Sequence, residues 1–74
     1  MTLNEHDVVR VARLLTTSRP FDGSTGVLRE PRIGDVGAIV HVLAERHFVV
    51  ECVDASGRTV WLADFVADEL EAAS

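Results

Sequence analysis

Between Gly34 and Val66 the sequence runs GDVGAIVHVLAERHFVVECVDASGRTVWLADFV, three apolar stretches separated by two short polar breaks. No other feature of the chain limits its fold as much. Each stretch has strand length, is rich in β-branched residues and alternates along much of its course. In the first, Val36, Ala38, Val40 and Val42 share one face, and Ile39, His41 and Leu43 share the other. In the second, Phe48, Val50 and Cys52 lie opposite Glu51. In the third, Trp61, Ala63 and Phe65 share one face while Val60 and Leu62 share the other. Residues 45–47 (ERH) read as a polar turn. Residues 54–57 (DASG) read as a hairpin turn, because Asp54 can accept from the backbone that follows it and Gly57 can take positive φ. Residues 34–66 are therefore expected to form a three-strand antiparallel meander.

The flanks complete the plan. Residues 7–15 (DVVRVARLL) read as a first strand by their β-branched content. Val8, Val11, Ala12 and Leu15 also fit a helical stripe with Asn4 as its N-cap, so the pattern alone leaves both open. Residues 16–33 hold Pro20, Gly23, Gly26 and Pro31 and read as a long loop. Residues 67–74 read as a short helical turn and tail, with Leu70 anchored in the apolar interior. A chain of 74 residues makes one domain, 1–74. The economical way for so few strands to bury a core is to curl the sheet over its own edges. The expected fold class is all-β, a small SH3-like antiparallel barrel of about five strands.

Gly34-Asp35-Val36-Gly37 invites a phosphate-loop reading that its context refuses. Phosphate loops join a strand to a helix, and neither the P-loop nor the dinucleotide spacing is present. Here a strand follows, with no Lys, Ser or Thr in the required place. The G-x-x-G of KH domains lies between helices and fails for the same reason. The glycines are expected to be structural. Gly34 turns the chain out of the long loop, and Gly37 leaves a strand position bare where the sheet bends.

The segments GDVGAIVHVL, FVVECVDASGRTVWL and DFVADEL resemble a family of short bacterial proteins known only as a domain of unknown function. The resemblance covers residues 7–10 and 34–71; residues 16–33 match it poorly. DFVADEL is also similar to the end of photosystem I reaction-centre subunit IV, another SH3-like barrel. The Gly-x-x-Gly-x-x-Val segment resembles the KOW barrels of ribosomal and transcription factors. These resemblances imply the barrel fold. The first also implies action beside a partner protein, in some members within toxin–antitoxin-like gene pairs. It implies no site residue.

Charge separates the two halves. Residues 1–33 carry a formal charge of +1, and residues 34–74 carry −6. An acidic half repels phosphate backbones and suits a basic partner, although such charge also simply keeps a surface solvated. The acidic, polar start MTLNEHDVVR is not a signal peptide, and no apolar run is long enough to span a membrane. The single cysteine, Cys52, lies among apolar residues and reads as a buried small hydrophobe, which fits a reducing cytoplasm.

No catalytic constellation is legible. His6, His41 and His47 show no metal-ligand spacing, and His41 and His47 are expected to face solvent. Ser18, Ser24, Thr25 and Ser56 carry no nucleophile motif, and Asp64 and Asp68 read as solvating the terminal turn. No metal, cofactor or enzymatic activity is expected. Trp61 is either a cap on the small core or an exposed anchor for a partner. Phe21 is likewise a plug or an anchor on the long loop, and Arg19, Arg29 and Arg32 give that loop a weak positive character. These five residues are the candidate partner contacts. The chain has no tyrosine and four aromatics in all, which argues against proline-peptide recognition.

The reading that follows is a non-enzymatic, cytoplasmic protein-binding module: an antitoxin, immunity-like or accessory protein whose partner is encoded by a neighbouring gene. One alternative is a KOW-type barrel that binds nucleic acid through Arg19, Arg29 and Arg32. Another is a self-associating structural protein. Ile39, Leu43, Val49, Val53 and Trp61 are expected to face outward, too many apolar residues for a wet face, so a homodimer or a docked partner with Trp61 near the contact is expected.

Overall fold

The computed structural model describes residues 3–15, 29–44 and 47–73. They form five antiparallel strands in one sheet: β1 (Val8–Val11), β2 (Val36–Ala44), β3 (His47–Val53), β4 (Thr59–Val66) and β5 (Leu70–Ala72). A 3-10 turn, Ala67–Glu69, joins β4 to β5. The strand order is β4-β3-β2-β1-β5.

That order forces the sheet to curl. β4 and β5 are its two edges, and a flat sheet of five strands is about 19 Å across. Val66 and Leu70 are only four residues apart, and four residues reach at most about 14 Å. The edges must approach one another, and the result is the small SH3-like barrel that the meander implies. Val9, Val11, Ile39, Phe48, Val50, Trp61, Ala63, Phe65 and Leu70 are buried inside it. Leu3, ahead of β1, joins them.

Three irregularities decide which side chains point inward. On β2, Ile39 pairs with Val50 and His41 with Val49, so Val40 is an extra residue bulged out of the ladder. The next interval repeats this: Val42 pairs with Phe48 and Ala44 with His47, leaving Leu43 extra. On β4, Cys52 pairs with Trp61 and Val53 with Thr59, leaving Val60 extra. A bulge shifts the alternation by one place. Ahead of the bulge β2 alternates simply, but with Ile39 inward and Val36 and Val40 outward, the reverse of the face expected to be buried; beyond it His41 stays outward with Val40, and Val42 turns inward opposite Phe48. Trp61, expected near a contact surface, is 0% exposed, and Val60 beside it is buried too. Leu43 and Val53 are exposed, as expected, and Val49 is half-buried.

The glycines act on the backbone. Gly34 has φ +96, and its N–H donates to Val11 O at 2.8 Å, which turns the chain into β2. Gly37 faces Val9 on β1, and a Cβ there would lie 2.6 Å from the Glu51 carbonyl oxygen of β3. Only a bare position lets the sheet bend so sharply.

Two expected boundaries change. β1 ends at Val11 rather than at residue 15, because the Ala12 and Arg13 N–H groups donate to Glu69 O at 2.7 and 3.3 Å instead of continuing the ladder. The expected tail at 70–72 is β5, which pairs with β1 through Val9–Ala72, Arg10–Glu71 and Val11–Leu70. The loop reading of residues 16–28 and the turn at residues 45 and 46 lie outside the described residues.

Candidate functional site

Asp35 stands just before β2, in a turn closed by its own N–H donating to Arg32 O at 3.1 Å. Its carboxylate accepts four hydrogen bonds. Oδ2 accepts from Trp61 Nε1 at 2.8 Å, from Arg32 N at 2.9 Å and from Arg29 Nη1 at 2.8 Å. Oδ1 accepts from Arg29 Nη2 at 2.9 Å. The Arg29–Asp35 contact is thus a bidentate fork, the strong geometry for this pair. Arg29 is also fixed by its backbone, whose N–H donates to Val60 O at 3.2 Å on β4.

The electrostatics follow from these contacts. Burial pushes the Asp35 carboxyl up, but the Arg29 fork, the Trp61 indole and the Arg32 N–H together hold it below the ordinary carboxylate range. The Arg29 guanidinium is raised, first by its hydrogen bonds to Asp35. Cys52 pairs with Trp61 across β3 and β4, and its thiol is pushed up, first by burial and then by the Asp35 charge. A carboxylate with four donors is a poor proton acceptor, and a thiol held protonated is a poor nucleophile. The arrangement fixes chain geometry: it ties residues 29–35 to β4.

A second carboxylate does the same on the other side of the long segment. Glu69 is 2% exposed. Its Oε1 accepts from Val66 N at 3.0 Å, closing the 3-10 turn, and its Oε2 accepts from Leu15 N at 3.0 Å. Arg13 Nη1 donates to the neighbouring Asp68 carbonyl. Residues 12–15 are thereby held against the turn. Asp35 and Glu69 thus grip the two stems, residues 12–15 and 29–35, that flank residues 16–28 in the sequence. Val11 N donates to Asp35 O at 2.8 Å, so both stems lie at one end of it.

That end carries the most exposed apolar side chains among the described residues: Ile33 at 64% and Leu15 at 58%, with Leu14 beside Leu15. Arg32 is exposed next to Ile33 and contributes only its backbone to the Asp35 cluster. Of the five residues singled out in the sequence, Trp61, Arg29 and Arg32 come together around Asp35. Trp61 is in the core, Arg29 is engaged internally, and the exposed Arg32 makes no side-chain hydrogen bond or ion pair with a described residue. Arg19 and Phe21 lie outside the described residues. Asp35 and Glu69, the residues that organise this end, were missed. Neither has a motif: one looks like a loop aspartate and the other like a solvated helix-turn acid. The Arg-x5-Asp spacing of the fork has no meaning until the turn at Gly34 is known.

The Asp54 hairpin is built as the sequence suggests. Asp54 Oδ1 accepts from Ser56 Oγ at 2.6 Å, Ser56 N at 2.9 Å and Arg58 N at 3.0 Å, and Gly57 has φ +86. His41 and His47 face solvent, and His41 Nδ1 lies 3.6 Å from Glu5 Oε2. Among the described residues, no group of three or more His, Cys, Asp or Glu side chains is placed to hold a metal ion. No helix among them is long and apolar enough to cross a membrane.

No curated protein and no solved structure gives a significant match to this chain. One family model does, over residues 5–72. That span takes in all five strands, the Gly34–Gly37 bend, the Asp54 hairpin and the turn that carries Glu69. The chain belongs to the family described as Domain of unknown function (DUF4926).

Proposed function

We propose that this protein is a non-enzymatic, cytoplasmic protein-binding module that meets its partner at the end of the barrel where the stems 12–15 and 29–35 lie. The observation that carries this reading is the pair of unshielded aliphatic side chains there, Ile33 and Leu15, beside the exposed Arg32. Isolated exposed aliphatics are ordinary on a small protein. Two on stems that Asp35 and Glu69 hold rigid form a pre-organised contact, and pre-organisation lowers the entropic cost of binding. Arg19 and Phe21, between the stems in sequence, add an arginine and an aromatic of the kind that dominates binding hot spots. The family resemblance supports an antitoxin, immunity-like or accessory role, with the partner encoded by a neighbouring gene. The buried thiol of Cys52 suits a reducing compartment.

The internal fork of Arg29 favours a protein partner over a nucleic acid, because it takes one of three loop arginines out of reach of a phosphate. The test is reconstitution. The chain and the product of the neighbouring gene are purified separately, mixed and sized. The expected result is a stoichiometric complex that Ile33→Asp and Leu15→Asp each disrupt while the barrel stays folded. A complex indifferent to both substitutions overturns the proposed site. Salt-sensitive capture of mixed RNA or DNA in place of protein overturns the reading.

A further inference from the structure

The outer face of the sheet, beside the stems but on the flank of the barrel, carries a second pattern. β1 shows Val8 and Arg10 outward, with Val9 and Val11 buried between and beyond them. Across the ladder Val8 faces Ala38 and Arg10 faces Val36 on β2. Ala38 in turn faces Glu51 on β3. The same register carried two places further sets Val36 opposite Val53. Val8, Val36 and Val53 are each close to half exposed. A patch of aliphatic side chains therefore lies across three strands, with one arginine on its β1 side and one glutamate on its β3 side.

The placement of those two charges says what fits the patch. Arg10 and Glu51 lie one strand to either side of β2 and two residues apart along it, about 12 Å from each other. The midpoint between them falls on β2 between Val36 and Ala38, at the centre of the apolar patch. A two-fold axis in the contact plane through that point, normal to the line joining them, carries each Arg10 onto the Glu51 of a second copy. Val8, Val36 and Ala38 are then enclosed between two reciprocal ion pairs. Self-complementarity of this kind is what an isologous interface requires. Arg10 makes no ion pair with any described residue, although Glu71 stands opposite it on β5. The Glu51 carboxylate accepts from Thr59 Oγ1 at 2.7 Å, which orients it and leaves its other oxygen available.

We infer that the outer face of β1, β2 and β3 is the contact surface of a symmetric homodimer, with Val8, Val36 and Ala38 at its centre and Arg10–Glu51 pairs at its two sides. The inference rests on the protein-binding reading only in treating exposed aliphatics as contact surface. It uses the sheet face, whereas the proposed partner site uses the barrel end. The face is small and convex, so the dimer is a weak one of micromolar affinity.

Sedimentation velocity over a dilution series up to about 1 mM protein tests it. The wild-type chain is expected to dimerise, more weakly as salt is added. Arg10→Glu and Glu51→Arg each place like charges at both sides, and each is expected to raise the dissociation constant at least about tenfold. Mixing the two variants sets opposite charges together at both sides and is expected to restore the dimer. Val36→Asp is expected to abolish it. Folding of each variant is read from the emission of buried Trp61, and Arg10→Glu with Val36→Asp still decides the matter if Glu51→Arg does not fold. A wild type that stays monomeric, a dimer indifferent to Arg10→Glu and Val36→Asp, or a mixture of folded variants that fails to recover overturns the inference. A monomer that still captures its partner through Ile33 sinks the dimer alone. A dimer that captures nothing sinks the partner site alone.

Discussion

The indole N–H of Trp61 donates to Oδ2 of Asp35 at 2.8 Å, joining β4 to a residue 26 positions earlier in the chain. The indole has no exposed surface, so this donor has no access to water. Without its acceptor it is a buried unsatisfied polar group.

Asp35→Ala is therefore expected to destabilise the barrel by about 1–3 kcal/mol, through the orphaned indole N–H and the lost Arg29 fork. Asp35→Asn keeps an acceptor for Trp61 and loses the charge, and is expected to fall between. Urea unfolding followed by Trp61 emission measures both. An Asp35→Ala barrel as stable as the wild type would show that the contact contributes nothing.

Acid should loosen the same cluster. The Asp35 carboxyl sits below its ordinary value of 3.8 in the folded chain. A depressed folded value means that the charged form adds stability above the ordinary carboxylate range. That contribution disappears as pH falls below about 4 and through the folded value. Thermal unfolding across this window should flatten in Asp35→Asn relative to the wild type; parallel curves would refute the assignment.

Asp54 is depressed as well. Hydrogen bonds from Ser56 Oγ and from Arg58 N bring its carboxyl down to about 2. Ser56→Ala removes the largest of these effects and is expected to move the Asp54 titration back toward 3.8, read by carboxyl-carbon NMR. A titration unmoved by Ser56→Ala would assign the depression to the backbone donors and the Arg58 charge.

Gly37→Ala places a methyl group 2.6 Å from a backbone oxygen of β3, an atom that cannot move aside as a side chain can. The expected cost is about 1–3 kcal/mol. Gly34→Ala meets nothing within 4 Å but must hold φ +96, a conformation that disfavours any side chain. Comparing the two variants by thermal unfolding separates crowding from backbone strain, and a Gly37→Ala barrel of unchanged stability would show that the sheet can open at this point.

The meander, its Asp54 hairpin and its bending glycines were legible because each depends on residues close in sequence: valine-rich alternation, an Asp-to-backbone turn, a glycine free to take positive φ. The inward faces of β2 and β4 were not. Whether His41 or Val42 faces inward depends on the bulge at Val40, and a bulge is the sheet's answer to curling, which only the assembled barrel imposes. Trp61 illustrates the cost of reading strands one at a time: both faces of TVWLADF are apolar, and the extra residue at Val60 admits two neighbours to the core. β5 was read as a tail because three residues carry no periodicity; its partner, β1, lies at the other end of the sequence. Asp35 and Glu69 were hidden for a related reason. A carboxylate is normally solvated, and its burial becomes affordable only where several distant N–H groups converge on it.

The β1–β5 pair has a mechanical consequence. Val9 faces Ala72 and Val11 faces Leu70, so the start of β1 and the end of β5 lie at the same end of their ladder. A pull applied at Val8 and Ala72 loads that ladder from one end, parting Val9 from Ala72 before Arg10 from Glu71 and Val11 from Leu70. Bonds strained one after another yield at far lower force than bonds sheared together. Stretched along its length, the barrel should open like a zipper at this seam, with the meander still closed behind it.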